Sequence, residues 1–122
     1  MLRKVAFTMY PVTDMARARA FYENTLGLVR DNSSDSSPWT EYDLPGGGCL
    51  AITSVTGNAP ATNAGGTIAF EVDDLDAVIA ALEAKQVVFK SDLIHSPVCR
   101  MRVIEDSEGN AILLHQLKEK RG

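Results

Sequence analysis

Few residues in this chain are equipped for chemistry. Apart from the carboxylates, the candidates are two histidines, His95 and His115, and two cysteines, Cys49 and Cys99. The cysteines lack the C-x-x-C spacing of a zinc or redox pair and read as buried thiols in a reducing, cytoplasmic setting. No G-x-S-x-G elbow presents a serine nucleophile. Gly46-Gly47-Gly48 reads as a hairpin turn rather than a phosphate loop, since no helix bearing a lysine follows. Three aromatic residues on strand-like segments, Tyr10, Trp39 and Tyr42, could stack on a planar ligand or fill a core or dimer interface. Glu41 and Asp43 alternate with Trp39 and so share its strand face, as an ion-pair partner, a base or an exposed pair. Arg100 and Arg102 also alternate. They either bind an anion or form a solvated face with Cys99, Met101 and Val103 turned inward.

The elements that must position these residues follow from periodicity. Val5 to Tyr10 is an apolar, β-prone run ended by Pro11. Thr13 or Asp14 caps a helix over residues 14–26, with Met15, Ala18, Phe21, Tyr22 and Leu26 on one stripe and Gly27 closing it. Leu28 to Asp31 begins a strand, and the polar run from Asn32 to Pro38 is a loop. Trp39 to Leu44 and Cys49 to Val55 form a hairpin about Pro45-Gly46-Gly47-Gly48. The Gly-, Pro-, Asn- and Ala-rich stretch from Gly57 to Gly66 reads as a linker. The order then repeats. Thr67 to Val72 is a strand, and Asp73 or Asp74 caps a helix carrying Leu75, Val78, Ile79 and Leu82. Val87 to Phe89 starts a strand, and His95-Ser96-Pro97 marks a loop. Cys99 to Ile104 and Ala111 to Leu117 are strands joined at Asp106-Ser107-Glu108-Gly109-Asn110. Val12-Thr13-Asp14-Met15 overlays Val72-Asp73-Asp74-Leu75, and the two glycine hairpins overlay each other, so the chain is an internal repeat.

Three stretches carry a family resemblance: Val12 through Leu28, with its Phe21-Tyr22 and Leu26-Gly27-Leu28; Ile68 through Ala77; and Glu105-Asp106-Ser107-Glu108-Gly109-Asn110 running on to Gln116. In this order and spacing the chain resembles the vicinal-oxygen-chelate superfamily of glyoxalases, bleomycin-resistance proteins and dioxygenases. The resemblance implies an α+β fold of two tandem βαβββ modules in one domain, residues 1–122. Module one covers about 1–56, the linker about 57–66 and module two about 67–122. It also implies a curled mixed sheet around an inter-module cavity, and a homodimer.

The resemblance further implies metal ligands, His, Gln or Glu, on the first and fourth strand of each module. Carried over position by position, these fall at Phe7 (or Ala6 if Pro11 adds a bulge), near Ala51, at Thr67 and at Leu113. None of these side chains is a usual ligand for a divalent ion that leaves open positions for two substrate oxygens. Strand alternation groups Ala111, Leu113 and His115 on one face, and Thr67, Ala69 and Glu71 on another. Glu71 and His115, with His95 as an additional donor, could therefore supply a relocated site. The alternative is that His115 is a hydrogen-bonded histidine near a strand end.

Charge narrows the partners. Net charge is −4, with 12 Lys and Arg against 16 Asp and Glu. The basic residues are scattered apart from Lys118, Lys120 and Arg121, which read as a solvated terminus, so no nucleic-acid footprint is expected. Met1 to Val5 has no signal-peptide run, and no segment approaches the roughly 18 apolar residues of a membrane span. The expected function is binding of a small organic molecule, without the family metal, through Thr8, Tyr10, Trp39, Thr67, Glu71, Leu113 and His115. The alternative is a divalent-metal lyase, isomerase or dioxygenase, lactoylglutathione-lyase-like, with relocated ligands.

Overall fold

A computed structural model describes residues 1, 3–56, 58–63 and 65–118. The chain divides into two compact units, Met1–Pro60 and Ala61–Gly122. Gly57 in the expected linker, and Lys120 and Arg121 in the basic tail, lie outside the described residues.

In the first unit β1 (Thr8–Pro11) is followed by α1 (Met15–Ala20), a π-helical turn (Phe21–Thr25), β2 (Trp39–Asp43) and β3 (Cys49–Thr53). The sheet order is β1-β3-β2, parallel between β1 and β3 and antiparallel between β3 and β2. Of the two candidate caps, Asp14 is used: its side chain accepts from Arg17 N–H at 3.0 Å. The expected helix over 14–26 is one helical stretch with a change of pitch. Leu26 N–H reaches back to Phe21 O at 3.0 Å, five residues rather than four. Such a π turn widens the helix where a regular one would misplace bulky side chains. Here Phe21 and Tyr22 are both buried and meet edge to face at 5.3 Å. Gly27 then takes the left-handed conformation at φ 76°.

The second unit runs β4 (Ile68–Glu71), α2 (Leu75–Ala84), β5 (Ile94–His95), β6 (Cys99–Glu105) and β7 (Ala111–Leu117). Its sheet order is β4-β7-β6-β5, with β4 parallel to β7 and the remaining pairs antiparallel. Asp74 rather than Asp73 caps α2, accepting from Ala77 N–H at 3.1 Å.

Three expectations need correction. The strands at 28–31 and 87–89 shrink to single bridges, Arg30 with Tyr42 and Phe89 with Ile104. Neither segment has the run of alternating apolar residues that pays for a longer edge strand. His95 is not in a loop: with Ile94 it pairs against Met101 and Arg100 as the short edge strand β5. Strand one starts later than Val5, because that residue is 79% exposed and has no sheet neighbour to cover it.

Each sheet has one face packed on its helix. In the first unit Tyr10, Leu50, Ile52, Thr40 and Tyr42 are buried on that side. There the Tyr42 ring stacks on Tyr22 at 6.0 Å. In the second unit Ile112, Leu114 and Ile104 are buried together with Leu75 and Leu82 of α2. The glycine hairpins are locked differently. Gly47 and Gly48 take positive φ in the first turn, which a side chain would resist. In the second turn the buried Asp106 carboxylate accepts from Glu108 N–H and Asn110 N–H, each at 2.8 Å, and Gly109 supplies the positive φ. The D-x-x-G-N run is thus a turn lock rather than a catalytic motif.

Candidate functional site

Cross-strand partners point to the same side of a sheet. On the side away from α1, the first unit therefore groups Met9, Ala51 and Glu41 with Trp39, Thr53, Asp43 and Cys49. Trp39 is held there from two directions. Its indole N–H donates to Glu41 Oε2 at 2.7 Å, and the Phe7 ring meets it edge to face at 5.3 Å. Phe7 and Met9 are 42% and 37% exposed, so this face presents apolar surface as well as carboxylates. Phe7 as the partner of Trp39 escaped the sequence reading, although alternation with Met9 would have placed it.

Cys49 lies on the same face and its thiol contacts Glu41 Oε1 at 3.6 Å. Burial, then hydrogen bonding to Asp43 and the negative charges of Glu41 and Asp43, push this thiol up to about 11. It is a thiol and not a thiolate near neutral pH, which makes it a poor nucleophile or metal ligand as it stands.

Thr8 and Tyr10 go to the other side. They pair with Leu50 and Ile52 on the helix-packed face, and Tyr10 is only 7% exposed. Tyr42 is wholly buried there, and its hydroxyl donates to Glu23 Oε2 at 2.9 Å. Burial, and then Glu23, raise its ionisation far above the ordinary range, so it has no acid–base role near neutral pH. The sequence grouping of Tyr10, Trp39 and Tyr42 thus separates: Trp39 on one face, both tyrosines on the other.

Glu71 and His115 do meet. They are direct partners across β4 and β7, and Glu71 Oε1 lies 2.5 Å from His115 Nδ1. The second carboxylate oxygen accepts from Leu117 N–H at 2.8 Å. Burial alone would raise this carboxyl, but the bonds from Leu117 and His115 hold it below the usual range. Leu113 and Ala69 pair on the same face, as do Met101 and His115. Thr67 is exposed, one residue before β4.

Arg100 and Arg102 take the helix side. Arg100 forms a double hydrogen bond with Asp76 of α2, at 2.6 and 3.3 Å, and Arg102 lies 4.2 Å over the Phe89 ring. Neither joins Glu71 and His115, and His95 sits on their side of β6, paired with Arg100.

The described residues also include a cleft of about 330 Å³ beside α1, lined by Arg19, Glu23, Asn24, Arg30 and Asp35. Its charges bind one another: Arg30 spans both Glu23 oxygens at 2.9 and 3.1 Å and reaches Asp35 at 2.6 Å. The buried Arg19 donates to Thr40 Oγ1, Asp35 O and Ser37 O, fastening the 31–38 loop to α1. That role had no signal in the sequence.

The metal positions implied by the resemblance carry Phe7, Ala51, Thr67 and Leu113. Ala51 is fully buried, the Phe7, Ala51 and Leu113 side chains offer no lone pair, and the neutral Thr67 hydroxyl is a weak ligand. Among the described residues no group of three or more His, Cys, Asp or Glu could hold an ion. These residues do not fit the metal of that family at those positions. No described helix is long and apolar enough to cross a membrane.

The family model described as Glyoxalase/Bleomycin resistance protein/Dioxygenase superfamily matches residues 4–114. Among solved structures, an antibiotic binding protein from Streptomyces sp. CB03234 superposes with a TM-score of 0.78 at 22% identity, covering 96% of this chain and 98% of its own. A fosfomycin resistance protein from Listeria monocytogenes gives 0.76 at 19%, covering 95% and 94%. A lactoylglutathione lyase from Agrobacterium tumefaciens gives 0.73 at 19%, covering 94% of each chain. At these identities the likeness is one of fold. No curated protein matches.

Proposed function

Since the chain belongs to the glyoxalase/bleomycin resistance protein/dioxygenase superfamily, we propose that it binds a small organic molecule and does so without a divalent metal at the family's ligand positions. The observation that carries this reading is the residue set at those positions, Phe7, Ala51, Thr67 and Leu113, which replaces donors by apolar or weakly ligating side chains. The Trp39 face supports it: an indole held by Glu41 and Phe7 offers a flat apolar surface beside two carboxylates, the mixture that ligand sites use. An antibiotic binding protein and a fosfomycin resistance protein share the fold, which is consistent with sequestration or resistance as the physiological role. The same proposal has the chain acting as a cytoplasmic homodimer, and light scattering at micromolar concentration gives the mass that checks the dimer.

The decisive experiment combines two measurements. Pure protein is incubated with Zn, Ni, Mn and Fe(II) salts, desalted and weighed for metal, and a library of planar organic compounds is screened by thermal shift and by the emission of Trp39, the single tryptophan. Compounds that stabilise the metal-free protein support the reading. One tightly held ion per chain, with turnover of a substrate bearing adjacent oxygens, sinks it.

A second reading is favoured by one contact, the 2.5 Å approach of Glu71 to His115. It is a metal-dependent lyase, isomerase or dioxygenase using these two as relocated ligands. Against it, both Glu71 oxygens are already occupied, by His115 and by Leu117 N–H. Unchanged metal content in His115→Ala would end it.

A further inference from the structure

We infer that Glu71 and His115 form an acceptor dyad that receives an acidic hydroxyl of the bound molecule, a phenol or an enol, at His115 Nε2. The inference deepens the small-molecule reading above and rests on it.

One Glu71 oxygen accepts from the Leu117 backbone N–H at 2.8 Å, and the other lies 2.5 Å from His115 Nδ1. An ionised carboxylate has only lone pairs to offer, so the short contact requires the hydrogen on Nδ1. In a neutral imidazole that leaves Nε2 as a lone-pair acceptor. Among the described residues nothing bonds to Nε2. The backbone anchor at Leu117 and the direct pairing of the two residues across β4 and β7 keep the arrangement from rotating away.

The surroundings select the class of ligand. Met101 is the β6 partner of His115, Ile94 is the β5 partner of Met101, and Leu113 lies on the same face two residues before His115. Ile94 is 39% exposed. An apolar ring fits against these side chains with its hydroxyl turned to Nε2. The negative charge of Glu71 favours a donor over an anion. Where the hydroxyl is acidic enough, its proton passes to Nε2, leaving an imidazolium between the Glu71 carboxylate and the ligand oxyanion. No other bond changes. Glu71 acts here as a positioning residue.

The test uses 4-nitrophenol and its methyl ether, 4-nitroanisole, as probes. The chain has only two histidines, so nitrogen-15 NMR of the rings resolves His115 from His95. In the neutral form of the ring the expected result is hydrogen on Nδ1, an Nε2 signal that moves on adding 4-nitrophenol, and binding of the ether about tenfold weaker. Glu71→Ala should shift the hydrogen to Nε2 and abolish the preference for the phenol, while Glu71→Gln, which keeps an oxygen acceptor, should retain part of it. Hydrogen on Nε2 in the unaltered protein, equal binding of the two probes, or binding of neither overturns the acceptor site. The broader small-molecule reading falls only if the thermal-shift library also yields no stabilising compound.

Discussion

Burial, reinforced by two neighbouring carboxylates, decides what Cys49 can do. With burial as the leading cause, and Asp43 and Glu41 adding to it, the thiol is held at about 11 instead of its ordinary 9.0. Alkylation by iodoacetamide, followed peptide by peptide to separate Cys49 from Cys99, should therefore be slow at pH 8 and accelerate only toward that raised value. Glu41→Gln removes one negative charge and should speed the reaction several-fold at pH 8. No acceleration would mean that burial and Asp43, without Glu41, set the value. The unfolded thiol ionises first as pH rises, so any contribution from this group is intact below about 9 and is lost as pH climbs toward 11. The alternation of Trp39, Glu41 and Asp43 was legible in sequence, as was the shared face of Leu113 and His115. The contact between Glu71 and His115 needed the β4–β7 register, which no local pattern encodes.

At the scale of elements, α2 is well started and poorly ended. Asp74 satisfies Ala77 N–H, one of the four first-turn donors that have no partner within the helix. Asp74→Ala should cost about 1 kcal/mol, measured by urea denaturation. Beyond the other end Gln86 sits at φ 60°, where the first unit uses Gly27 at 76°. Gln86→Gly should stabilise by up to about 1 kcal/mol, because only glycine reaches this region without a Cβ clash. A loss instead would show that the Gln86 side chain makes contacts worth more than the strain. Arg19 presents the opposite case, a buried cation satisfied by one hydroxyl and two carbonyls of the 35–40 segment. Arg19→Met should cost about 2 kcal/mol by leaving those acceptors unpaired, and hydrogen exchange should quicken across residues 31–38. Unchanged exchange there would refute the role assigned to Arg19.

For the whole molecule the expected behaviour is linkage between ligand and folding. A compound bound only by the native chain stabilises it by about 2.7 kcal/mol at a concentration 100 times its Kd. For a domain of this size that is a rise in Tm of several degrees or more. The rise should be absent with Zn(II) alone. A metal-induced rise without any organic ligand would favour the metal-dependent reading.

The sequence by itself placed the two helices, both glycine hairpins and the internal repeat, and narrowed each helix cap to two neighbouring residues, whereas the bridges at 28–31 and 87–89 and the short strand β5 were not legible in it. The features it placed depend on interactions within a few residues: a side-chain oxygen reaching the first helical turn, a glycine at positive φ, an apolar stripe. It also determined which residue types occupy the family's metal positions. Tertiary structure alone decided which strands pair outside the two hairpins, β1 with β3 and β4 with β7. That choice sent Tyr10 and Tyr42 to the helix side and Trp39 to the other, turned Arg100 and Arg102 toward α2, and joined Glu71 to His115. The physical reason is that a strand residue's face is fixed by period, whereas its partner is fixed by register between segments more than 40 residues apart, as in the Glu71–His115 pair. Only packing of the whole unit sets that register.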